Sequence, residues 1–228
     1  MGSIGSNLQE VKRRIARACA EAGRDAQNVT LLAVCKTFDA CAVQQAFNAG
    51  QRAFGENYVQ EALDKIGALG ALRSQIEWHL IGPLQSNKTR PVAEAFDWVH
   101  SVDRLKIAER LSAQRPAALP PLQLCLQVNI SSEASKSGLA PADVLAVAQA
   151  VAALPHVRLR GLMAIPEAAA DADAQRAPHR ALRELMAALN AHGLALDTLS
   201  MGMSADLEAA VAEGATLVRV GSAIFGTR

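Results

Sequence analysis

The chain has 228 residues, half of them apolar, with 23 Lys plus Arg against 22 Asp plus Glu. That length suits one α/β barrel, and the near-neutral balance argues against nucleic acid or an anionic membrane as partner. No stretch reaches the ~20 apolar residues of a spanning helix, the N-terminus lacks a signal-peptide core, and Cys19, Cys35, Cys41 and Cys125 form no C-x-x-C pair or zinc spacing, so a reducing, cytoplasmic setting is expected.

In chain order, Ser6 to Gly23 reads as an amphipathic helix with Leu8, Val11, Ile15 and Cys19 on one face and Ser6 as its cap. Residues 29–34 form an apolar run of strand length that leads to Lys36. The alternation then repeats. A helix is predicted over 40–48, a strand over 52–55, a helix over 58–69 and a strand over 77–81. A helix over 88–96 carries Pro91 in its first turn. A strand over 98–102 follows, then a helix to about Gln114 capped by Asp103. After a linker at 116–121 come a strand over 122–130, a polar loop at 131–138 and a helix from Pro141 to Ala153. The last elements are a strand over 157–165, a helix over 174–192, a strand over 198–201, a helix over 204–213 and a strand over 217–220. Eight strands separated by helices within this length predict a single-domain (β/α)8 TIM barrel over residues 1–228, with a doubly wound open sheet as the alternative.

A barrel gathers the residues that follow its strands at one rim, where barrel enzymes place their sites. The residues at or after the strand ends are Lys36; Glu56 and Asn57; His79 and Gly82; Ser101 and Asp103; Asn129 and Ser131; Met163 and Pro166; Ser200, Gly202, Met203 and Ser204; and Arg219, Gly221 and Ser222. Lys36 is either a solvated rim residue or a Schiff-base lysine. A free lysine titrates near ~10.4, so burial in an apolar rim would be needed to lower that value and activate the amine. Gly202 to Ser204 and Gly221-Ser222 read either as turn and capping chemistry or as a phosphate seat, because glycine loops and helix starts present free N–H groups. On the second reading the phosphate rests on Ser204, Gly221 and Ser222. Arg219 lies inside the last strand, and its alternation with Gly221 points it inward.

The segments VCKT (34–37), FGENY (54–58), WHLIGPLQSNK (78–88), NIS (129–131), SKSG (135–138), GLM (161–163), SMGMS (200–204) and RVGSAIFG (219–226) resemble, in order and over most of the chain, the pyridoxal phosphate homeostasis protein family. That resemblance implies an alanine racemase N-terminal-domain-like barrel holding pyridoxal 5′-phosphate (PLP) as a Schiff base on Lys36. It implies Arg219 facing the pyridine nitrogen, with Ser204, Gly221 and Ser222 at the phosphate, Ser200 beside them, and Asn57 and His79 as ring-side residues. Where this chain has Cys35 the family usually has serine; alternation along the strand turns that side chain away from Lys36.

The racemases this barrel resembles draw a second acid/base from a C-terminal β-domain, which is not expected here because the sequence stops after the eighth strand. Arginine only donates hydrogen bonds, so a ring nitrogen facing it makes the cofactor a weaker electron sink. The expectation is therefore a monomeric PLP carrier that serves vitamin B6 and amino-acid/keto-acid balance and passes cofactor to apo PLP-dependent enzymes. The alternatives are a PLP-dependent racemase or lyase, a cofactor-free Schiff-base aldolase, and a non-catalytic interaction protein. Lys136, in the 131–138 loop, is a candidate second docking point for the aldehyde, and that loop a candidate cover.

Overall fold

A computed structural model describes residues 2–131, 137–167 and 171–226. Lys136, the candidate second docking point, lies outside the described residues. The elements run α1 (Ile4–Glu21), β1 (Thr30–Val34), α2 (Ala40–Asn48), β2 (Ala53–Glu56), α3 (Val59–Ala68), β3 (Glu77–Leu80), α4 (Thr89–Ala95), β4 (Trp98–Val102), α5 (Leu105–Gln114), β5 (Leu122–Gln127), α6 (Val144–Ala152), β6 (Val157–Met163), α7 (Ala172–Ala191), β7 (Thr198–Ser200), α8 (Leu207–Ala212), β8 (Leu217–Val220) and α9 (Ser222–Phe225). All eight strands are parallel and pair in sequence order, and β1 also pairs with β8 through Leu32↔Arg219 and Ala33↔Val220. The sheet is a closed barrel, which removes the open-sheet alternative.

Alternation along each strand divides the apolar residues into two sets. Leu31, Ala33, Phe54, Trp78, Leu80, Val99, Leu124, Leu162, Val218 and Val220 face outward into the main core beneath the helices. Leu32, Ala53 and Leu217 form a separate cluster inside the barrel, and Trp98, Cys125 and Met163 another. The rest of the interior is polar, with His79, His100, Ser200 and Arg219 all buried.

Several local expectations are corrected. Ser3, not Ser6, caps α1: its side chain accepts the Ser6 N–H, because the helix starts two residues earlier. Asp103 does not cap α5; Arg104 occupies that position and Asp103 binds its guanidinium at 2.7 Å. The fifth strand ends at Gln127, three residues short, as the chain turns into the loop, and β6 is the longest strand at seven residues. Helix α8 begins at Leu207 rather than Ser204, since Asp206 ties back to the Met203 N–H at 2.6 Å and holds residues 203–206 as a turn.

Candidate functional site

The C-terminal ends of β2, β3, β5 and β6 surround a cavity of about 370 Å³ whose walls include Asn57, Ile81, Gly82, Gln127, Asn129 and Ile165. That size falls in the range of small-ligand sites. The wall requires glycine at residue 82, where a Cβ would come within 2.1 Å of the Asn57 carbonyl oxygen. The Asn57 side-chain oxygen is buried without a hydrogen-bond partner.

Lys36 follows β1 by two residues and continues the inward face of Leu32 and Val34. It is exposed, so the burial expected to activate its amine is not met. Its backbone is fixed from both sides. The Cys35 N–H donates to the Gly55 carbonyl at 2.9 Å, and the Cys35 carbonyl accepts from Lys65 Nζ at 2.8 Å. Thr37 has φ +66°, an unfavourable left-handed conformation for a β-branched residue, and its N–H donates to Glu61 at 3.1 Å.

Behind that segment, Lys65 Nζ lies 2.6 Å from Glu56 Oε1, with side chains 8% and 0% exposed. The Cys35 thiol donates to the same oxygen at 2.9 Å. Burial raises the Glu56 carboxyl above its ordinary value against the hydrogen bonds from Cys35 and Lys65. Burial, then the Glu56 charge, pushes the Cys35 thiol well above its ordinary value. Cys35 is thus a neutral buried donor facing away from the barrel interior, as alternation requires.

Inside the barrel a continuous hydrogen-bonded chain crosses from β3 to β8. Glu77 Oε1 lies 3.0 Å from His79 Nε2, and His79 Nδ1 lies 2.9 Å from His100 Nε2. His100 Nδ1 lies 2.7 Å from Ser200 Oγ, which accepts from Arg219 Nη1 at 2.8 Å. Arg219 Nη2 donates to the Ala164 carbonyl at 2.9 Å. Among the described residues Arg219 forms no ion pair, and burial pushes its guanidinium down to about 10 against the pull of Asp206, so it stays charged at neutral pH. His79 stacks on Trp98 with ring centroids 5.3 Å apart. Both its ring nitrogens are engaged, and it lines no part of the mouth cavity.

The ends of β7 and β8 make a second feature. Gly202 has φ +91°, and a Cβ there would lie 2.5 Å from the Ala210 Cβ; its carbonyl accepts the Arg219 N–H at 2.9 Å. Asp206 Oδ2 pairs with His179 Nε2 at 2.9 Å while Oδ1 holds the Met203 N–H. Burial opposes ionisation of Asp206, but the bonds from His179 and Met203 outweigh it and hold the carboxyl below its usual range. Among the described residues, the N–H groups of Ser204, Gly221 and Ser222 donate to no backbone carbonyl.

The structure thus joins Ser200, His79 and Arg219 in one buried chain and leaves Lys36, Asn57, Ser204, Gly221 and Ser222 as ends of adjoining strands and loops. Sequence reasoning missed His100, Lys65 and Glu61 as parts of this framework. A signal existed for Lys65: it lies three residues after Ala62 on the buried stripe of α3.

A model for the alanine racemase N-terminal domain matches residues 6–228. The chain belongs to that family and, within it, to the pyridoxal phosphate homeostasis proteins. It is 62% identical over 228 residues to the pyridoxal phosphate homeostasis protein of Pseudomonas aeruginosa, covering 100% of this chain and 97% of that one. It is 52% identical to the Escherichia coli K12 protein of the same name, covering 100% and 98%. Among solved structures, PipY of Synechococcus elongatus with PLP bound aligns at TM-score 0.81 and 42% identity, over 93% of this chain and 100% of that one. An alanine racemase from Corynebacterium glutamicum shares the fold at TM-score 0.70 and 19% identity, over 97% of this chain but 62% of the racemase.

Proposed function

We propose that this protein binds PLP at the barrel mouth and serves intracellular PLP homeostasis. The observation that carries the reading is Arg219, a buried guanidinium that forms no ion pair among the described residues; at the C-terminal ends of the strands, the Asn57 side-chain oxygen has no hydrogen-bond partner and, among the described residues, the N–H groups of residues 204, 221 and 222 donate to no backbone carbonyl. Those groups suit a polar, anionic ligand: backbone N–H groups receive phosphate oxygens, and the guanidinium keeps three of its five donors for a ring acceptor. A likeness to a PLP-bound relative supports the same ligand.

In this reading Ser204, Gly221 and Ser222 hold the phosphate, Arg219 faces the ring nitrogen, Asn57 lies beside the ring, and Lys36 offers the amine. The bound cofactor supplies an aldehyde capable of reversible exchange between primary amines. Lys36, held at its backbone by the Cys35 and Thr37 contacts, keeps that exchange at one position. Arg219 only donates and retains its proton, so it does not place a proton on the ring nitrogen, and the site favours holding the cofactor over withdrawing electrons from a substrate. The exposure of Lys36 suits release to an incoming amine. The chain acts as a cytoplasmic monomer and passes the cofactor to apo-enzymes.

After incubation with PLP and removal of unbound cofactor, the purified protein is expected to retain a visible absorption band that Lys36→Ala abolishes. A colourless wild-type protein overturns the reading in favour of a cofactor-free barrel, and steady turnover of an amino acid that depends on Lys36 overturns the carrier role in favour of a racemase or lyase.

A further inference from the structure

The two ends of the buried chain have fixed hydrogen-bonding character. An arginine only donates, and a carboxylate only accepts. Between Arg219 and Glu77 lie Ser200, His100 and His79, each within 2.7 to 3.0 Å of the next. With both imidazoles neutral, one proton arrangement satisfies every contact. Arg219 donates to Ser200, whose hydroxyl donates to His100 Nδ1. His100 donates from Nε2 to His79 Nδ1, and His79 donates from Nε2 to Glu77. Reversing the middle of the chain would place two acceptors face to face at Glu77 unless His79 took up a second proton. In that charged arrangement, Ser200 would accept from both His100 and Arg219 and its own hydrogen would be released from the chain.

We propose that Glu77, His79, His100 and Ser200 are positioning residues that orient Arg219 through a neutral chain whose donors all point from the barrel mouth to the Glu77 carboxylate. Other groups also face the chain. Trp98 stacks on His79, Cys125 is a buried thiol clustered with Trp98, and Arg160, whose guanidinium lies 5.0 Å from a Trp98 ring centroid, is paired with Asp197. Burial, then the nearby His79 and Arg219, holds His100 well below the ordinary histidine range. The arrangement also commits the only Ser200 hydrogen to His100, so Ser200 supports the site from below instead of donating to a ligand. Its relevance to cofactor rests on the assignment of Arg219 to the ring; the chain itself does not.

The test has two arms. In the cofactor-free protein at pH 7, 15N spectra of histidine should show His79 and His100 neutral, each with its hydrogen on Nε2. A doubly protonated His79, or a hydrogen on Nδ1 of either ring, overturns the proposed polarity even if cofactor binds normally. In the second arm, Glu77→Leu removes the terminal acceptor at a half-exposed position remote from the mouth, whereas Glu77→Gln keeps an acceptor oxygen. PLP affinity should fall about tenfold for Leu, the lower end of the worth of a hydrogen bond to a charged group, and be largely restored by Gln. Equal affinity in wild type and Glu77→Leu, with unchanged histidine tautomers, overturns the positioning role. Absence of binding by the wild type would instead refute the cofactor assignment and leave the first arm decisive for the chain.

Discussion

Replacing Lys65 by methionine should be among the most damaging single changes outside the barrel interior. The side chains have similar reach, but the variant leaves Glu56 buried without its cation and the Cys35 carbonyl without its donor. Removing one partner of a buried ion pair costs about 3–5 kcal/mol. With a urea slope of roughly 3 kcal/mol/M for a chain of this size, the unfolding midpoint should drop by roughly 1–1.7 M. The deficit should depend on pH. The folded-state pKa of Glu56 is already raised by burial, and loss of Lys65 raises it further. A carboxyl with a raised folded pKa contributes stability that is present below its unfolded value near ~4.3 and lost as pH rises through the folded value. The variant should therefore approach wild type near pH 4 and diverge as pH increases. Urea unfolding followed by circular dichroism at several pH values reads both effects, and Glu56→Met with Lys65→Met should recover at least half of the loss because no charge is then left buried. A single-variant loss under about 1 kcal/mol at pH 7, or a deficit that shrinks with rising pH, refutes the reasoning.

Two further perturbations bear on the β7–β8 side of the mouth. Gly202→Ala combines a left-handed φ with a Cβ 2.5 Å from Ala210 and should cost about 1–3 kcal/mol, read as a lower thermal midpoint; an unchanged midpoint would show that the turn relaxes freely. Asp206→Ala removes the partners of His179 and of the Met203 N–H and should cost about 1.5–3 kcal/mol at pH 7. Because the folded pKa of Asp206 is depressed, its contribution is present above the unfolded value near ~3.9 and lost as pH falls through the folded one. Wild type and variant should converge in acid, and a constant difference down to pH 2 would contradict that assignment.

The strand pattern was legible because parallel strands buried on both faces are near-continuous apolar runs: β4 and β8 occur over the residues the pattern predicts, and the other strands start or end within a few residues of it. The errors cluster where local capping competes. Ser3 and Ser6 are both able to cap α1, and only the path of the chain before Ile4 decides between them. The rim residues were readable from strand ends, since a barrel brings them together whatever its loops do. The interior chain was not. His100 and Ser200 are 100 residues apart in sequence yet 2.7 Å apart in space, and a histidine inside an apolar strand carries no sign of which strand supplies its partner. Lys36 shows the opposite failure: its position was readable, but its exposure depends on how high the chain rises after Val34, which the Thr37 turn sets.

The central claim is a covalent link between cofactor and one amine, and it is tested most directly by reducing the PLP-treated protein with borohydride and mapping the modified peptide by mass spectrometry. A pyridoxyl group on Lys36, in one-to-one proportion with the chain, is the predicted result. Modification of Lys65 or Lys88 in place of Lys36, or no stable adduct at all, would contradict the account.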